Sequence, residues 1–263
     1  MTEFEKETQE RILSISNNKE LNIISSSFMT ASTVPKYSYN FLWLGRPIIQ
    51  YPQDMVAMQE IIWKVKPDLI IEIGIAHGGS LILYASMLSM LDISEAIDNK
   101  HSYNPLNSKR KVLGVDVDIR ENNRKAIESH PMYNWIEMIE GSSIEKNIIS
   151  QVKSIAKDYK KVLVCLDSNH THEHVLSELE AYATLVSEGS YCIVFDTVIE
   201  DLPEESFPDR PWGPGDNPKT AVWKYLETHS EFEIDQSIHD KLLITVAPDG
   251  FLKRKIEKNI INE

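Results

Sequence analysis

The sequence predicts an α/β fold, in which a mostly parallel sheet carries helices on both faces and ends in an antiparallel hairpin. Short apolar runs alternate with segments of helical periodicity over residues 53–195, and this alternation is typical of a parallel sheet. The last two apolar runs are separated by too few residues for a helical crossover. The length of 263 residues suits one large α/β domain with an appendage.

Residues 1–50 are expected to form a helical extension ahead of the main domain. Residues 2–16 are predicted to be an amphipathic helix, because Thr2 and Glu5 have the spacing of a capping box. A serine run and an aromatic segment follow. The extension is interpreted either as a lid or as a helix packed against the main domain or a neighbouring subunit.

The main domain is placed at residues 51–254, followed by a tail at residues 255–263. Apolar residues at three- and four-residue spacing predict helices at residues 53–66, 77–91, 120–129, 143–157, 172–187 and 219–228. Short apolar runs predict strands at residues 69–73, 111–115, 135–139, 162–166 and 191–195. The polar stretch between the second helix and second strand, residues 92–110, is expected to be a surface loop.

The end of the chain breaks the alternation of strands and helices. Two further strand-like runs occupy residues 232–235 and 241–246, and they should pair as an antiparallel hairpin. A parallel sheet completed in this way is typical of Rossmann-like class I methyltransferases and differs from the usual dinucleotide dehydrogenase fold.

The composition fits a small-molecule enzyme and argues against nucleic acid as a partner. The formal net charge is -13, whereas binding to a phosphate backbone depends on clusters of Lys and Arg. Cys165 and Cys192 lie in apolar runs and are expected to be reduced core thiols. The charged N-terminus does not resemble a signal peptide, and no apolar run approaches the ~20 residues of a membrane span. We therefore expect no membrane span and a cytoplasmic location.

The clearest candidate ligand-binding motif runs from Glu72 to Ser80 and reads Glu-Ile-Gly-Ile-Ala-His-Gly-Gly-Ser. It follows a predicted strand and opens a helix, where ligands of such folds bind. Gly74 and Gly78 would let backbone amides approach a ligand closely. The spacing does not match the dinucleotide fingerprint, and Glu72 suits the cationic end of S-adenosylmethionine. Glu72, Gly74, His77, Gly78 and Ser80 are the predicted contacts, with His77 as a wall; the alternative is a plain strand-to-helix turn.

The next two strands would extend the same site. Asp116 follows the strand at residues 111–115, and a carboxylate there can accept both hydroxyls of a ribose. Asp118 is a nearby alternative. Ser142 follows the third strand and could border the adenine, although Ser142 or Ser143 could instead cap the next helix.

Asp167 and Asp196 follow neighbouring predicted strands, so their carboxylates should converge above the sheet. Mg²⁺ prefers hard oxygen ligands and keeps several waters, so two protein carboxylates would suffice. Bound to a substrate hydroxyl, the ion would lower the pKa of that hydroxyl and orient it. Asp167 is thus a predicted metal ligand, a catalytic residue and a cofactor contact; the alternative is that both carboxylates are simply solvated.

Three histidines, His170, His172 and His174, follow Asp167 closely. No cysteine accompanies them, as would be usual in a structural zinc site. His170 or His172 is the predicted general base, because histidine titrates near neutral pH. Otherwise these histidines cap the following helix or line the pocket.

A proline-rich loop at residues 207–218 follows the strand that leads to Asp196. Long ordered loops at this position commonly form substrate lids. Trp212 would suit a sugar ring, and Arg210 would suit a phosphate or carboxylate. The alternative is a rigid loop at the surface or at a subunit contact.

Five segments, at residues 43–50, 52–54, 74–80, 166–174 and 241–254, occur in a combination typical of one family. Together they resemble the cephalosporin hydroxylase-type family, which despite its name belongs to the S-adenosylmethionine-dependent methyltransferases. The resemblance spans about residues 42–254. It implies O-methylation of sugars in antibiotics or surface glycans, with Mg²⁺ assisting.

Two residues depart from the pattern that the resemblance implies. Phe195 stands directly before Asp196, where the family usually has an acid. Asn169 stands where related sugar methyltransferases often have one. Glu200 or Asp201 could compensate for the missing carboxylates.

These observations predict an S-adenosylmethionine-dependent O-methyltransferase that acts on a hydroxyl of a small molecule. The expected acceptor is a sugar or nucleotide-linked sugar of a surface glycan or natural product, and the expected assembly is a homo-oligomer. One alternative is a non-catalytic nucleotide-binding or assembly protein. Another is a non-haem iron oxygenase, which would need a triad of two histidines and one carboxylate.

Overall fold

Two sheets form in residues 1–257, the part of the chain that the computed structural model describes. The small sheet pairs β1 (Phe41–Trp43) with β2 (Arg46–Ile48) in antiparallel fashion. The large sheet contains β3 (Leu69–Ile73), β4 (Lys111–Asp116), β5 (Ile136–Glu140), β6 (Val162–Leu166), β7 (Tyr191–Val194), β8 (Phe232–Ile234) and β9 (Phe251–Arg254). Its order is β5-β4-β3-β6-β7-β9-β8. The five strands β3 to β7 run parallel, and β9 pairs antiparallel with both β7 and β8. The predicted fold class is therefore confirmed.

Helices cover both faces of the large sheet. They are α1 (Glu3–Ser16), α2 (Lys19–Thr33), α3 (Pro52–Val65), α4 (Gly79–Asp98), α5 (Glu121–Glu128), α6 (Lys146–Ala156), α7 (His172–Tyr182), α8 (Pro218–Leu226) and α9 (Gln236–Leu242). One core packs α3, α4 and α5 against the sheet, and a second packs α6, α7 and α8 against its other face. Within β3, Ile70 faces the first core and Ile71 the second, because side chains alternate along a strand. Burial on both faces explains the continuous apolar runs of the central strands.

The two cysteines lie in these cores as predicted. Cys165 on β6 and Cys192 on β7 are both buried and free. Burial raises the pKa of both thiols above the ordinary range, because a thiolate is poorly solvated there. They are packing residues and not nucleophiles.

The predicted strand at residues 241–246 is wrong, although the antiparallel end of the sheet is confirmed. Residues 236–242 form α9, and Leu243 turns the chain with φ 59°. The buried Asp54 carboxylate then accepts hydrogen bonds from the Thr245 hydroxyl at 2.5 Å and the Val246 amide at 3.0 Å. This contact holds the segment in a turn, and residues 251–254 supply the strand instead.

The expected surface loop at residues 92–110 begins later than predicted, because α4 continues to Asp98. Asp92 is polar but buried, and it accepts hydrogen bonds from Arg110 at 2.5 Å and from the Trp135 indole at 3.1 Å. By length and composition alone α4 could cross a membrane, since an 18-residue window has a mean hydropathy of 1.4. However, 56% of that window is buried inside the protein, as in a core helix.

The N-terminal extension consists of two helices. The predicted capping box of α1 is present, with the Glu5 amide donating to Thr2 at 3.2 Å. The serine run belongs to α2, a helix that the sequence pattern did not predict. No residue of α1 is buried, whereas α2 buries Met29 and Ser32. The predicted tail at residues 255–263 lies mostly outside the described residues.

Candidate active site

A cavity of about 550 Å³ opens at the carboxyl ends of β3, β4 and β6. Its size is within the range of small-molecule sites, and its place is where ligands bind in parallel α/β sheets. The residues that line it are Ile73, Gly74, Ala76, Val115, Asp116, Val117, Ser142, Ser143, Asp167, Ser168, Asn169, His174, Arg210 and Trp212. The cavity therefore brings together side chains from five separate segments of the sequence.

The predicted cofactor contacts divide into two groups. Gly74, Asp116, Ser142 and Asp167 line the cavity, whereas Glu72, His77, Gly78 and Ser80 are not part of its lining. Glu72 is buried, and its Oε2 atom has no hydrogen-bond partner among the described residues. Gly78 begins α4 as its N-cap residue. Neither Ser142 nor Ser143 caps α6, because the N-cap residue of that helix is Glu145.

Gly74 is required by the packing of the two central strand ends. Its φ is +102°, and a Cβ atom there would lie 2.0 Å from the Asp167 carbonyl oxygen. A side chain would therefore collide with the backbone of the neighbouring segment, in a conformation that L residues rarely adopt. The close approach brings the glycine turn next to the backbone of Asp167.

Asp116 holds the glycine turn in place. Its Oδ2 atom accepts hydrogen bonds from the amides of Ile75 at 2.7 Å and Ala76 at 3.3 Å, and its Oδ1 atom accepts one from Asp118 at 3.1 Å. A carboxylate has about four acceptor positions. Asp116 can consequently fix the turn and still accept a hydrogen bond from a ligand in the cavity.

Two residues outside the predicted site, Arg46 and Asn123, support the same turn. Arg46, on β2, donates from Nε to the His77 carbonyl at 3.1 Å. Asn123, on α5, donates to the Ala76 carbonyl at 2.9 Å. The sequence pointed to Arg46 only through its position within residues 43–50, one of the five segments that resemble the family. Together these bonds stabilise Ala76, whose φ of 46° lies in the left-handed region.

Asp167, His170 and Asp196 converge beside the cavity. One potential ligand atom from each lies within 4.8 Å of the others. The Nε2 atom of His170 is 3.1 Å from Asp196 Oδ2, and Gln50 Nε2 is 3.4 Å from Asp167 Oδ2. Asp196 has a φ of 57°, and such strained non-glycine residues are concentrated at functional sites. The structure thus brings the two predicted metal ligands and one predicted base together.

The other two histidines lie outside this cluster. His172 Nδ1 is 2.8 Å from the Thr220 hydroxyl, and its backbone amide donates to Asp216 at 2.6 Å. His174 lines the cavity, with Nε2 at 3.0 Å from Glu178. His172 therefore joins α7 to α8 and does not cap α7, whose N-cap residue is Thr171.

Several carboxyl groups lie close together at and below the cavity, and they repel one another when ionised. Burial raises the pKa of Asp167 well above its ordinary value, and repulsion from Asp196, Glu72 and further carboxylates adds to this effect. Burial likewise raises the pKa of Glu72 to about 8 and that of Asp54 to about 7. A cation bound in the cavity would relieve this repulsion, so the residues present suit both a sulfonium group and a divalent metal ion.

The proline-rich loop at residues 207–218 packs over the cluster. The ring of Trp212 meets His170 edge-on, with ring centroids 4.8 Å apart. The Arg210 guanidinium lies 5.2 Å from the centre of the Trp212 ring. Glu200 anchors the loop by accepting a hydrogen bond from the Gly215 amide at 2.7 Å.

The positions that depart from the family pattern are occupied by residues with local roles. Phe195 is buried in the core. Asn169 accepts hydrogen bonds from the backbone and side chain of Thr171, both at 2.9 Å. Neither suggested replacement joins the cluster, because Glu200 anchors the loop and Asp201 pairs with Lys219 at 2.7 Å.

Comparison with known proteins gives a consistent result. The model of a family described as Rhamnosyl O-methyltransferase/CmcI matches residues 35–255. Rhamnosyl O-methyltransferase of Mycobacterium tuberculosis (strain ATCC 25618 / H37Rv) is 30% identical over 226 residues, which cover 83% of this chain and 82% of the relative. The protein of the same name from Mycobacterium leprae (strain TN) is 29% identical over 216 residues, or 81% and 82% of the two chains.

Solved structures agree at the level of the fold. A structure described as "CmcI-N160 apo-structure" superimposes with a TM-score of 0.53 at 16% identity, covering 83% of this chain and 78% of the other. A structure described as "cmcI-D160 Mg-SAM" gives the same values.

Proposed function

The chain belongs to the Rhamnosyl O-methyltransferase/CmcI family, and from this membership we propose that it methylates a hydroxyl group of a rhamnose-like sugar. It is an S-adenosylmethionine-dependent O-methyltransferase. The observation that carries the proposal is the cluster of Asp167, His170 and Asp196, which adjoins the cavity lined by Gly74 and Asp116.

The cavity residues suit S-adenosylmethionine, which supplies an electrophilic methyl group on a positively charged sulfur. Asp116 is available to a ribose, and Ser142 and Ser143 lie beyond it at the end of β5. A bound cation would favour the ionised forms of Glu72, which is buried, and of Asp167, which lines the cavity. Trp212 and Arg210 line the cavity and would limit the access of water to the cofactor.

Asp167 and Asp196 would hold a divalent cation, with Mg²⁺ as the first candidate, because their oxygens are the hard ligands that it prefers. When bound, the ion supplies a positive charge that lowers the pKa of the acceptor hydroxyl. Without the acids that Phe195 and Asn169 replace, water would fill more of the coordination shell. Among the described residues the cluster offers one histidine and two carboxylates, which is not the iron-oxygenase triad of two histidines and one carboxylate.

His170 is the residue we assign as the acceptor of the hydroxyl proton. The Asp196 carboxylate, 3.1 Å from Nε2, and the Trp212 ring together limit the orientations of its imidazole. Histidine is suited to this task near neutral pH. His172 is the weaker candidate, since its Nδ1 atom is engaged with Thr220.

The sugar acceptor is supported by the loop and by the relatives. Trp212 offers an apolar ring face and Arg210 a cation at the edge of the cavity. The relatives with about 30% identity are rhamnosyl O-methyltransferases by name. A rhamnose-like ring, free or linked to a nucleotide or lipid, is the acceptor class that fits both facts.

Mass spectrometry of rhamnose-bearing acceptors, incubated with the enzyme, S-adenosylmethionine and Mg²⁺, tests this function. We expect the acceptor to gain one methyl group and Asp167→Asn to lose this activity. Asp158→Asn is the matched control, because Asp158 is exposed and precedes β6 at the opposite end of the strand. If S-adenosylmethionine binds but no sugar is methylated, the acceptor class is wrong.

Self-association and a cytoplasmic location are further parts of the proposal. Apolar side chains are exposed on the N-terminal helices, among them Phe4, Leu13, Ile23 and Ile24. Such groups are commonly covered in an assembly. Fractionation of cells that express the full chain tests the location, and recovery in the membrane or external fraction would contradict it.

A further inference from the structure

A buried carboxylate lies directly behind one wall of the cavity. Glu178, on α7, has 0% of its surface exposed. Its Oε1 atom accepts hydrogen bonds from the hydroxyls of Ser143 and Ser168, both at 2.5 Å, and lies 3.0 Å from His174 Nε2. Its Oε2 atom is buried and has no hydrogen-bond partner among the described residues. Ser143, Ser168 and His174 all line the cavity.

This arrangement fixes the hydrogen-bonding polarity of the wall. A serine hydroxyl has one proton to donate and two lone pairs that accept. Because both hydroxyl protons point to Glu178, the Ser143 and Ser168 oxygens can meet a ligand only as acceptors. Ser143 Oγ also lies 3.2 Å from His174 Nε2. Within residues 1–257, Ser168 Oγ has no other hydrogen bond, so its lone pairs remain available. The wall is therefore suited to a ligand group that donates hydrogen bonds.

The position of the wall indicates which part of the cofactor it meets. Asp116 ends β4, and Ser143 follows β5, the next strand outward in the sheet. A ribose at Asp116 would place the attached base towards Ser143. Adenine carries an exocyclic amino group, which donates, whereas hypoxanthine carries a carbonyl oxygen at the same place, which only accepts.

We propose that Glu178 is a positioning residue that makes Ser143 and Ser168 accept a hydrogen bond from the adenine amino group, and so selects against 6-oxopurine analogues of the cofactor. The inference rests on the use of S-adenosylmethionine as methyl donor. It adds a determinant of base specificity that acts through two serines and does not itself touch the cofactor.

Calorimetric titration of the full chain with S-adenosylhomocysteine and with S-inosylhomocysteine tests this role. We expect the wild type to bind the adenine compound at least about tenfold more tightly, because two facing acceptors cannot pair. In Glu178→Gln the side-chain amide can donate a hydrogen bond to a serine oxygen. The hydroxyl proton of that serine is then free to point toward the cavity. The affinity ratio should then fall to about threefold or less.

The control is Glu173→Gln, an exposed residue of the same helix, which should keep the wild-type ratio. Ser168→Ala is a second variant that removes an acceptor while leaving Glu178 in place, and it should also lower the ratio. Equal weakening of both ligands by Glu178→Gln and Ser168→Ala, with an unchanged ratio, would mean a structural role only and would overturn the proposal. Wild-type binding of both compounds with equal affinity would also overturn it. A wild type that binds neither compound contradicts the methyl donor itself, which distinguishes the two failures.

Discussion

Burial of the Glu72 carboxyl group at the cofactor site makes the unliganded protein less stable. The Glu72 side chain is 1% exposed, and burial is the main cause that raises its pKa to about 8. In an unfolded chain a glutamate titrates near about 4.3. The folded state therefore retains a proton that the unfolded state has lost. The contribution of Glu72 to stability is complete below the unfolded pKa and falls as the pH rises towards 8.

Replacing Glu72 with Gln should remove this pH dependence. Between about pH 5 and pH 8 the free energy of unfolding of Glu72→Gln should change less than that of the wild type. At the upper end the variant should be more stable by up to a few kcal/mol, since one pKa unit corresponds to about 1.4 kcal/mol. Urea unfolding at both pH values measures the effect, and the exposed Glu188→Gln is the control. Identical slopes for wild type and Glu72→Gln would contradict the assignment.

Gly74 gives a second prediction at the same scale. Gly74→Ala should destabilise the protein by about 2–4 kcal/mol, because the new Cβ would press on the Asp167 backbone in a strained conformation. Affinity for S-adenosylhomocysteine should fall as Asp167 is displaced. Gly213→Ala is the matched control, since a Cβ there meets nothing within 4 Å. Thermal unfolding and calorimetry report both effects, and similar losses in the two variants would refute the packing explanation.

The site residues differ in how far sequence could predict them. Asp116, Asp167 and Asp196 were predictable, because acids that follow parallel strands must meet at one edge of a sheet. The choice between His170 and His172 was not, because it depends on Thr220, which is distant in sequence and lies on α8. Glu178 was also missed. Its position inside a helix gives no sign that it is buried behind the cavity.

Among the secondary-structure elements, the segment at residues 241–246 shows that a local sequence pattern does not reveal long-range contacts. Leu-Leu-Ile-Thr-Val has the composition of a strand, yet Asp54 holds Thr245 and Val246 in a turn from nearly 200 positions away in the chain. β-propensity reflects side-chain packing more than backbone preference. Such a long-range hydrogen bond can therefore override it, and no local pattern in the sequence shows the bond.

Asp54→Ala should therefore disturb this turn and the strand that follows it. Loss of the buried acceptor would leave the Val246 amide and the Thr245 hydroxyl unpaired, at a cost of about 2–4 kcal/mol. Hydrogen exchange should quicken first at the Val246 amide and then along β9. Asp158→Asn, at an exposed site, should leave both measurements unchanged. If Asp54→Ala unfolds at the wild-type denaturant concentration, the proposed anchor contributes little.

For the whole molecule, sheet order arranges the chemistry in a row. The carboxyl ends of β4, β3, β6 and β7 present Asp116, Gly74, Asp167 and Asp196 in that spatial order. The candidate ribose contact thus lies at one end and the candidate metal and base at the other. The order could be anticipated from the fold class, whereas the loop that packs over its far end could be predicted only as a lid of undefined position.

The N-terminal helices lead to the last prediction, which concerns assembly. Helix α1 buries no residue, while Leu13 is 63% exposed and Ile23 on α2 is 67% exposed. We expect a second copy of the chain to cover these two side chains. The double variant Leu13→Glu/Ile23→Glu places two charges there, and it should reduce the mass measured by light scattering to that of a smaller assembly. The double variant should retain affinity for S-adenosylhomocysteine, because neither residue lines the cofactor cavity. Val117→Glu, an exposed apolar residue of the cavity itself, should do the opposite and weaken binding at unchanged mass. A wild type that is monomeric at every concentration would contradict self-association, and an unchanged oligomer in the double variant would exclude these helices as the interface.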